Sequence, residues 1–104
     1  MFCKDPLFNL FHDLSPSDAN YYMNKLACQP GSGWDGKVTY TGWKKIPSMY
    51  LVCKNDRLLP EALQRQMAEM AGSQIRECDA GHMVQCSMPG VVAECVKEAA
   101  RNGD

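Results

Sequence analysis

Residues Ser48-Met49-Tyr50-Leu51-Val52-Cys53 make a nearly unbroken apolar run, and together with the segments after it this run leaves few folds open. Alternating apolar and polar residues would mark a strand with one wet face. A continuous run marks a strand covered on both faces, as in a parallel sheet. Pro60 then opens a helix with Leu63, Met67 and Met70 at helical spacing, and Gly72 stops it. Gln74 to Cys78 reads as a second, shorter strand. After a loop from Asp79 to Cys86, Ser87 and Pro89 start a last helix. Its apolar stripe is Val92, Cys95, Val96 and Ala99, and Asn102-Gly103 end it. Strand, helix, strand, helix is the right-handed crossover unit of a parallel sheet, so the fold class is α/β.

The residues ahead of this unit are organised around one helix. Ser15-Pro16-Ser17-Asp18 combines an N-cap serine, a proline at the first helical position and a carboxylate three residues after the cap. The spacing predicts a helix to about Ala27, before the breaker run Gln29-Pro30-Gly31-Ser32-Gly33, with Tyr22, Met23 and Leu26 as its apolar face. Phe8, Leu10, Phe11 and Leu14 form an aromatic-rich approach to it. Residues 29–47 read as a loop with one extended piece, Lys37 to Tyr40. The chain therefore divides into a helical segment with its loop, 1–45, and a βαβα unit, 46–104.

In an open parallel sheet, functional groups gather beyond the carboxyl ends of the strands. Asn55-Asp56-Arg57 comes directly after the first strand, and Ala80-Gly81-His82 after the second. Neighbouring strands lie about 4.8 Å apart, so both loops would leave from one edge with Asp56 and His82 in hydrogen-bonding reach. That is how a carboxylate fixes an imidazole's tautomer and stabilises the imidazolium during base catalysis. A lone loop aspartate is more commonly a turn former or a helix cap. A lone histidine after glycine is more commonly a packed or surface residue. Order and placement single out this pair: acid first, histidine second, each after a strand, with one crossover between them.

Several classes of function are excluded by composition. The net charge is −1 and the 11 basic residues are scattered, so no patch follows a phosphate backbone and no nucleic-acid partner is expected. No apolar run approaches the roughly 20 residues that span a bilayer, so no membrane partner is expected either. The start of the chain lacks the features of a secretory signal, and the expected location is cytoplasmic. Cys3, Cys28, Cys53, Cys78, Cys86 and Cys95 include no Cys-x-x-Cys pair, and two histidines are too few for a zinc signature. Reduced structural thiols are expected, with no metal and no cofactor.

Residues 46–61, Ile-Pro-Ser-Met-Tyr-Leu-Val-Cys-Lys-Asn-Asp-Arg-Leu-Leu-Pro-Glu, resemble the acid-bearing strand and loop of the α/β-hydrolase superfamily. The likeness points to the group of plant methylesterases, hydroxynitrile lyases and their fungal and bacterial esterase-like relatives. Asp79-Ala80-Gly81-His82-Met83 resembles that group's histidine loop, and Ser87-Met88-Pro89 stands where its last helix opens. Phe11-His12-Asp13-Leu14-Ser15-Pro16 and Tyr40-Thr41-Gly42-Trp43-Lys44 look like the cap of fungal members. The resemblance implies a partial α/β-hydrolase fold with a cap-like segment over 1–45. It makes Asp56 the triad acid and His82 the base, and it implies Phe8, Phe11, Trp43 and Met83 as substrate-binding residues. Aromatics such as Phe8, Phe11, Tyr21, Tyr22 and Trp43 are, however, more commonly core. His12 and Asp13 are not read as further catalytic groups.

The departure from the family pattern is equally plain. A nucleophile elbow needs glycines two before and two after the serine, because the tight strand-to-helix turn leaves no room for side chains. Ser32 lies between Pro30 and Trp34, Ser48 between Ile46 and Tyr50, and Ser87 between Gln85 and Pro89. Ser15, Ser17 and Ser73 fit no better, and the oxyanion-hole loop is absent as well. Two readings are open. One is the C-terminal portion of a serine hydrolase, acting on a small-molecule ester or lactone when completed by an N-terminal half. The other is an inactive hydrolase remnant that serves as a binding module. The residues present do not separate the first reading from a lyase built on the same triad. In either case the first strand has an unprotected edge open to self-association.

Overall fold

A computed structural model of the chain describes residues 2–103. Proline marks the start of most of its helices, because a fixed φ suits the first turn and the missing N–H is not needed there. Helix α1 (Pro6–Asn9) is a single turn that the aromatic approach had concealed. Helix α2 (Pro16–Met23) begins as expected, with Ser15 Oγ accepting the Asp18 amide at 3.3 Å. It ends four residues earlier than the expected Ala27. Lys25 and Leu26 donate to the carbonyls of Tyr22 and Met23, i→i+3 bonds that tighten and close the last turn. The face it buries is Ala19, with Tyr22 and Met23 packed beside it, while Leu26 is exposed. Beyond it, Lys37 to Tyr40 pairs with no strand among the described residues. Val38 and Tyr40 are each 76% exposed, so nothing in the described chain covers them. A short 3-10 turn, Gly42–Lys45, carries Trp43.

The remaining residues build the expected α/β unit: β1 (Met49–Cys53), α3 (Glu61–Ala71), β2 (Gln74–Cys78), a single turn α4 (Val84–Ser87), and α5 (Pro89–Asn102). The two strands are adjacent and parallel, with Met49 opposite Gln74 and Cys53 opposite Cys78. Gly72 closes α3 with φ 68°, a left-handed conformation that glycine adopts without a Cβ penalty. Successive strand residues face opposite sides of a sheet. On β2, Glu77 pairs with Arg65 of α3 and Arg76 pairs with Glu98 of α5, so the two helices cover opposite faces.

Helix α3 turns a different face to the sheet than its apolar periodicity predicts, and α5 keeps Val92 and Cys95 of its expected stripe inward but leaves Val96 and Ala99 exposed. In α3 the buried residues are Gln64 and Ala68, whereas Leu63 is 41% and Met70 78% exposed. The helix is rotated so that the Gln64 amide meets the β1 backbone and the small Ala68 allows close approach. In α5 the half-buried residues are Val92, Cys95 and Glu98, and Val96 is 63% exposed. The Glu98–Arg76 pair sits on that sheet-facing side. Ser87 does not cap α5; it ends α4, and Met88 precedes Pro89 as the N-cap.

Apolar burial falls in two places. Val52, Cys53, Ala68 and Ala80 are buried in the α/β unit, and Leu10, Phe11 and Ala19 form a second cluster joined by Leu14, Tyr22, Met23 and Met83. Met83, in the loop that follows the second strand, packs against that cluster.

Candidate functional site

The two strands stay paired past their last residues, and this brings the loops together. Lys54 N donates to Cys78 O at 2.9 Å and Asn55 N to Ala80 O at 3.1 Å. Asn55 Nδ2 donates to Asp79 O at 2.6 Å, and Lys54 Nζ lies 3.1 Å from the Asp79 carboxylate. One residue beyond Asn55 and two beyond Ala80, Asp56 Oδ2 and His82 Nδ1 are 2.9 Å apart. The other oxygen, Oδ1, accepts the amides of Leu58 and Leu59 at 2.8 and 2.9 Å. The Asp56 side chain is only 5% exposed and that of His82 29%. A carboxylate so deeply covered is held by its backbone donors, and its free direction is spent on the imidazole. With Nδ1 committed to Asp56, Nε2 is the ring nitrogen left for proton transfer.

Gln64 locks the acid loop from behind. Its Oε1 accepts the Cys53 amide at 2.9 Å, and its Nε2 donates to Cys53 O and Leu59 O, both at 2.8 Å. The two ends of the loop that carries Asp56 are thus tied to a single buried amide. A polar residue beside the apparent apolar stripe of α3 was the only trace of this in the sequence.

The N-terminal segment reaches both loops. Asp13 Oδ2 accepts the Gly81 amide at 2.7 Å. Arg57 donates to Phe8 O at 3.3 Å and lays its guanidinium over the Phe8 ring, 4.2 Å from the centroid. A Cβ at Gly81 would lie 2.6 Å from His12 Cε1 and 2.9 Å from Asp13 Oδ1, so a larger residue there would force these side chains to shift. Burial pushes the Asp13 carboxyl up, but the Gly81 amide, Ser87, its own backbone amide and His12 together outweigh this and hold it below its ordinary value. Ser87 acts by proximity: its Oγ and Asp13 Oδ1 are buried without meeting hydrogen-bond geometry, as is His12 Nδ1. Asp13, Arg57 and Gln64 were all missed by sequence reasoning: Asp13 and Arg57 act through contacts 68 and 49 residues away, and Gln64 through a helix rotation that apolar spacing does not show.

Of the four residues implied as substrate-binding, Phe11 is 3% exposed and stacks on Tyr22 at 6.0 Å, inside the N-terminal cluster. Met83 packs against that cluster. Phe8 lies half-exposed beneath Arg57, close to the acid loop, and Trp43 is half-exposed on the Gly42–Lys45 turn. A cleft of about 340 Å³ lies elsewhere, between the sheet and α5, with Leu51, Arg76, Val91 and Cys95 in its walls. It touches neither Asp56 nor His82, where the polar groups of the strand-end loops converge. Among the described residues no three His, Cys, Asp or Glu side chains gather as metal ligands, and no helix is long and apolar enough to cross a membrane. All six cysteines are free thiols.

A parallel α/β unit that presents an acid and then a histidine from neighbouring strand ends, in contact, has the architecture of one class, the α/β hydrolases. Residues 4–94 match the alpha/beta hydrolase family, and the chain belongs to it. The chain is also 31% identical over 93 residues to "Alpha/beta hydrolase nvfD" of Aspergillus novofumigatus. That match covers 88% of this chain and 37% of the relative, so the chain spans little more than a third of the relative's length.

Proposed function

We propose that this chain supplies the acid and histidine of a serine hydrolase acting on a small carboxylic ester or lactone. The observation that carries the reading is the Asp56–His82 contact at 2.9 Å, with the second Asp56 oxygen held by two backbone amides. An imidazole oriented in this way takes a proton from a hydroxyl nucleophile and returns it to the leaving alkoxide. Within the 104 residues no serine has the Gly-x-Ser-x-Gly bracket, so the nucleophile and the oxyanion donors come from sequence outside them. Phe8 and Trp43, both partly open, are proposed to contact the substrate directly. Phe11 and Met83 are proposed to back that wall from the cluster behind it.

The test has two arms. The purified chain is expected to hydrolyse p-nitrophenyl esters no faster than its Asp56→Asn and His82→Ala variants, and to take no fluorophosphonate label. A general base without its nucleophile contributes little of the full rate. In the genome, the frame upstream of Met1 is expected to encode a strand, Gly-x-Ser-x-Gly and a helix. Labelling of the chain alone at one of its own serines would overturn the proposal. So would an independent promoter and start codon with no such segment ahead, which would favour an inactive binding module.

A further inference from the structure

The hydrogen bond from the Gly81 amide to Asp13 spans 68 residues of sequence and meets the histidine loop one residue before His82. Nothing about a local turn demands it. On its other side the same loop is fixed through Asp79 and Ala80 by Asn55. Asp13 therefore closes the second side of a short span that ends at the imidazole. An ionised acceptor on a largely buried amide makes a strong bond. With no Cβ at Gly81, the side chains of His12 and Asp13 occupy the space a larger residue would need. His82 itself is 29% exposed at its side chain, so its ring is not gripped on all sides, and its orientation depends on where the peptide before it is held.

We infer that Asp13 is a positioning residue for His82: its carboxylate holds the Gly81 peptide so that the imidazole presents Nδ1 to Asp56. The inference rests on the reading of Asp56 and His82 as a proton-transfer pair. Asp13 acts on the ring through the backbone and touches neither the carboxylate of Asp56 nor any reacting atom in this scheme. A small shift of the Gly81 peptide is enough to break a 2.9 Å contact at the end of the imidazole.

The experiment is solution NMR on the 104-residue chain, reading water exchange of the His82 Nδ1 proton, with the Leu58 and Leu59 amides as an internal check on Asp56. In Asp13→Ala the Nδ1 proton is expected to exchange faster by about tenfold, the effect of losing one partner of a buried hydrogen bond. The Leu58 and Leu59 amides should not change. Asp13→Asn keeps an oxygen for the Gly81 amide and is expected to restore exchange to within about twofold of wild type. His12→Ala removes packing over Gly81 but no acceptor, and is expected to behave like wild type. Wild-type exchange in Asp13→Ala, or an effect of His12→Ala as large, overturns the inference. Should Asp13→Ala not fold, the wild-type chain decides: the Gly81 amide and the His82 Nδ1 proton are expected to share one opening event. Protection of Gly81 that outlasts repeated loss of the Nδ1 proton overturns it. Failure of the underlying reading looks different. There the wild-type chain shows no protected Nδ1 proton and Asp56→Asn changes nothing at His82.

Discussion

Asp56 serves the fold with one oxygen and the imidazole with the other, and the two tasks separate by substitution. Asp56→Ala removes the acceptor for Leu58 and Leu59 as well as the partner of His82. Urea unfolding is expected to show a loss of about 1–2 kcal/mol, from the two loop amides and the imidazole left without their acceptor. Asp56→Asn keeps an oxygen for the two amides and should stay within about 1 kcal/mol of wild type. Its amide nitrogen would meet Nδ1 as a donor, however, and force the opposite tautomer on His82, visible in the imidazole nitrogen shifts. Cys53, next to this loop, has the reverse chemistry. Burial first, then the neighbouring Cys78 and the carboxylates of Asp56 and Asp13, push its thiol up to about 12. The thiolate is the reactive form, so at about pH 8 iodoacetamide should modify exposed Cys28 early and Cys53 only when the chain unfolds. Mass spectrometry of the alkylated chain reads the order directly, and early loss of the Cys53 thiol would contradict its burial behind the acid loop.

Among the elements, α3 owes its orientation to one amide. Met67 and Met70 invite a reading in which methionines face the sheet, yet the helix turns Gln64 inward and leaves Met70 at the surface. Hydrogen bonds explain the choice. Ser48 O and Lys54 N both bond to the β2 side, so alternation along β1 sends the N–H and C=O of Met49, Leu51 and Cys53 to the opposite edge. Gln64 satisfies both Cys53 groups there, and the Leu59 carbonyl as well. Gln64→Leu would orphan three backbone groups and is expected to lower stability by about 2–3 kcal/mol in urea melts. Gln64→Glu should be at least as costly near neutral pH, because a carboxylate would face two carbonyls. A Leu variant as stable as wild type would show that packing, and not the amide, sets the helix. The ion pairs from β2 to α3 and α5 are exposed and contribute little beyond register.

For the molecule as a whole, the unsettled feature is the edge of β1. Gln64 covers its carboxyl end, but among the described residues no strand covers Met49 or Leu51. Val52 is the largest side chain that is fully buried, so the core has little in reserve against such exposure. We expect self-association through this edge, seen as a concentration-dependent elution volume and melting temperature. Met49→Pro removes an N–H from the open edge at the first residue of the strand, without removing a bond to β2. It should shift the chain toward monomer. A clean monomer with a sharp, concentration-independent transition above about 60 °C would show instead a self-sufficient domain.

The α/β class, the strand pair, the start of α2, the stop at Gly72 and the pairing of Asp56 with His82 could all be read from the sequence. Each depends on signals within a few residues: a run of apolar side chains, a proline, a glycine, or a loop directly after a strand. Once two strands are adjacent and parallel, their next residues must leave from one edge, so the contact follows from order alone. Helix rotation did not follow, because apolar spacing counts side chains and cannot see that a strand edge offers hydrogen bonds to Gln64. Nor did the extended piece at Lys37 to Tyr40, whose pattern is local and finds no partner in the described chain. The tie between Asp13 and Gly81 needs two segments 68 residues apart to meet, and a glycine small enough to let them. Such contacts arise only when the chain closes on itself, and they are what decides how the imidazole is held.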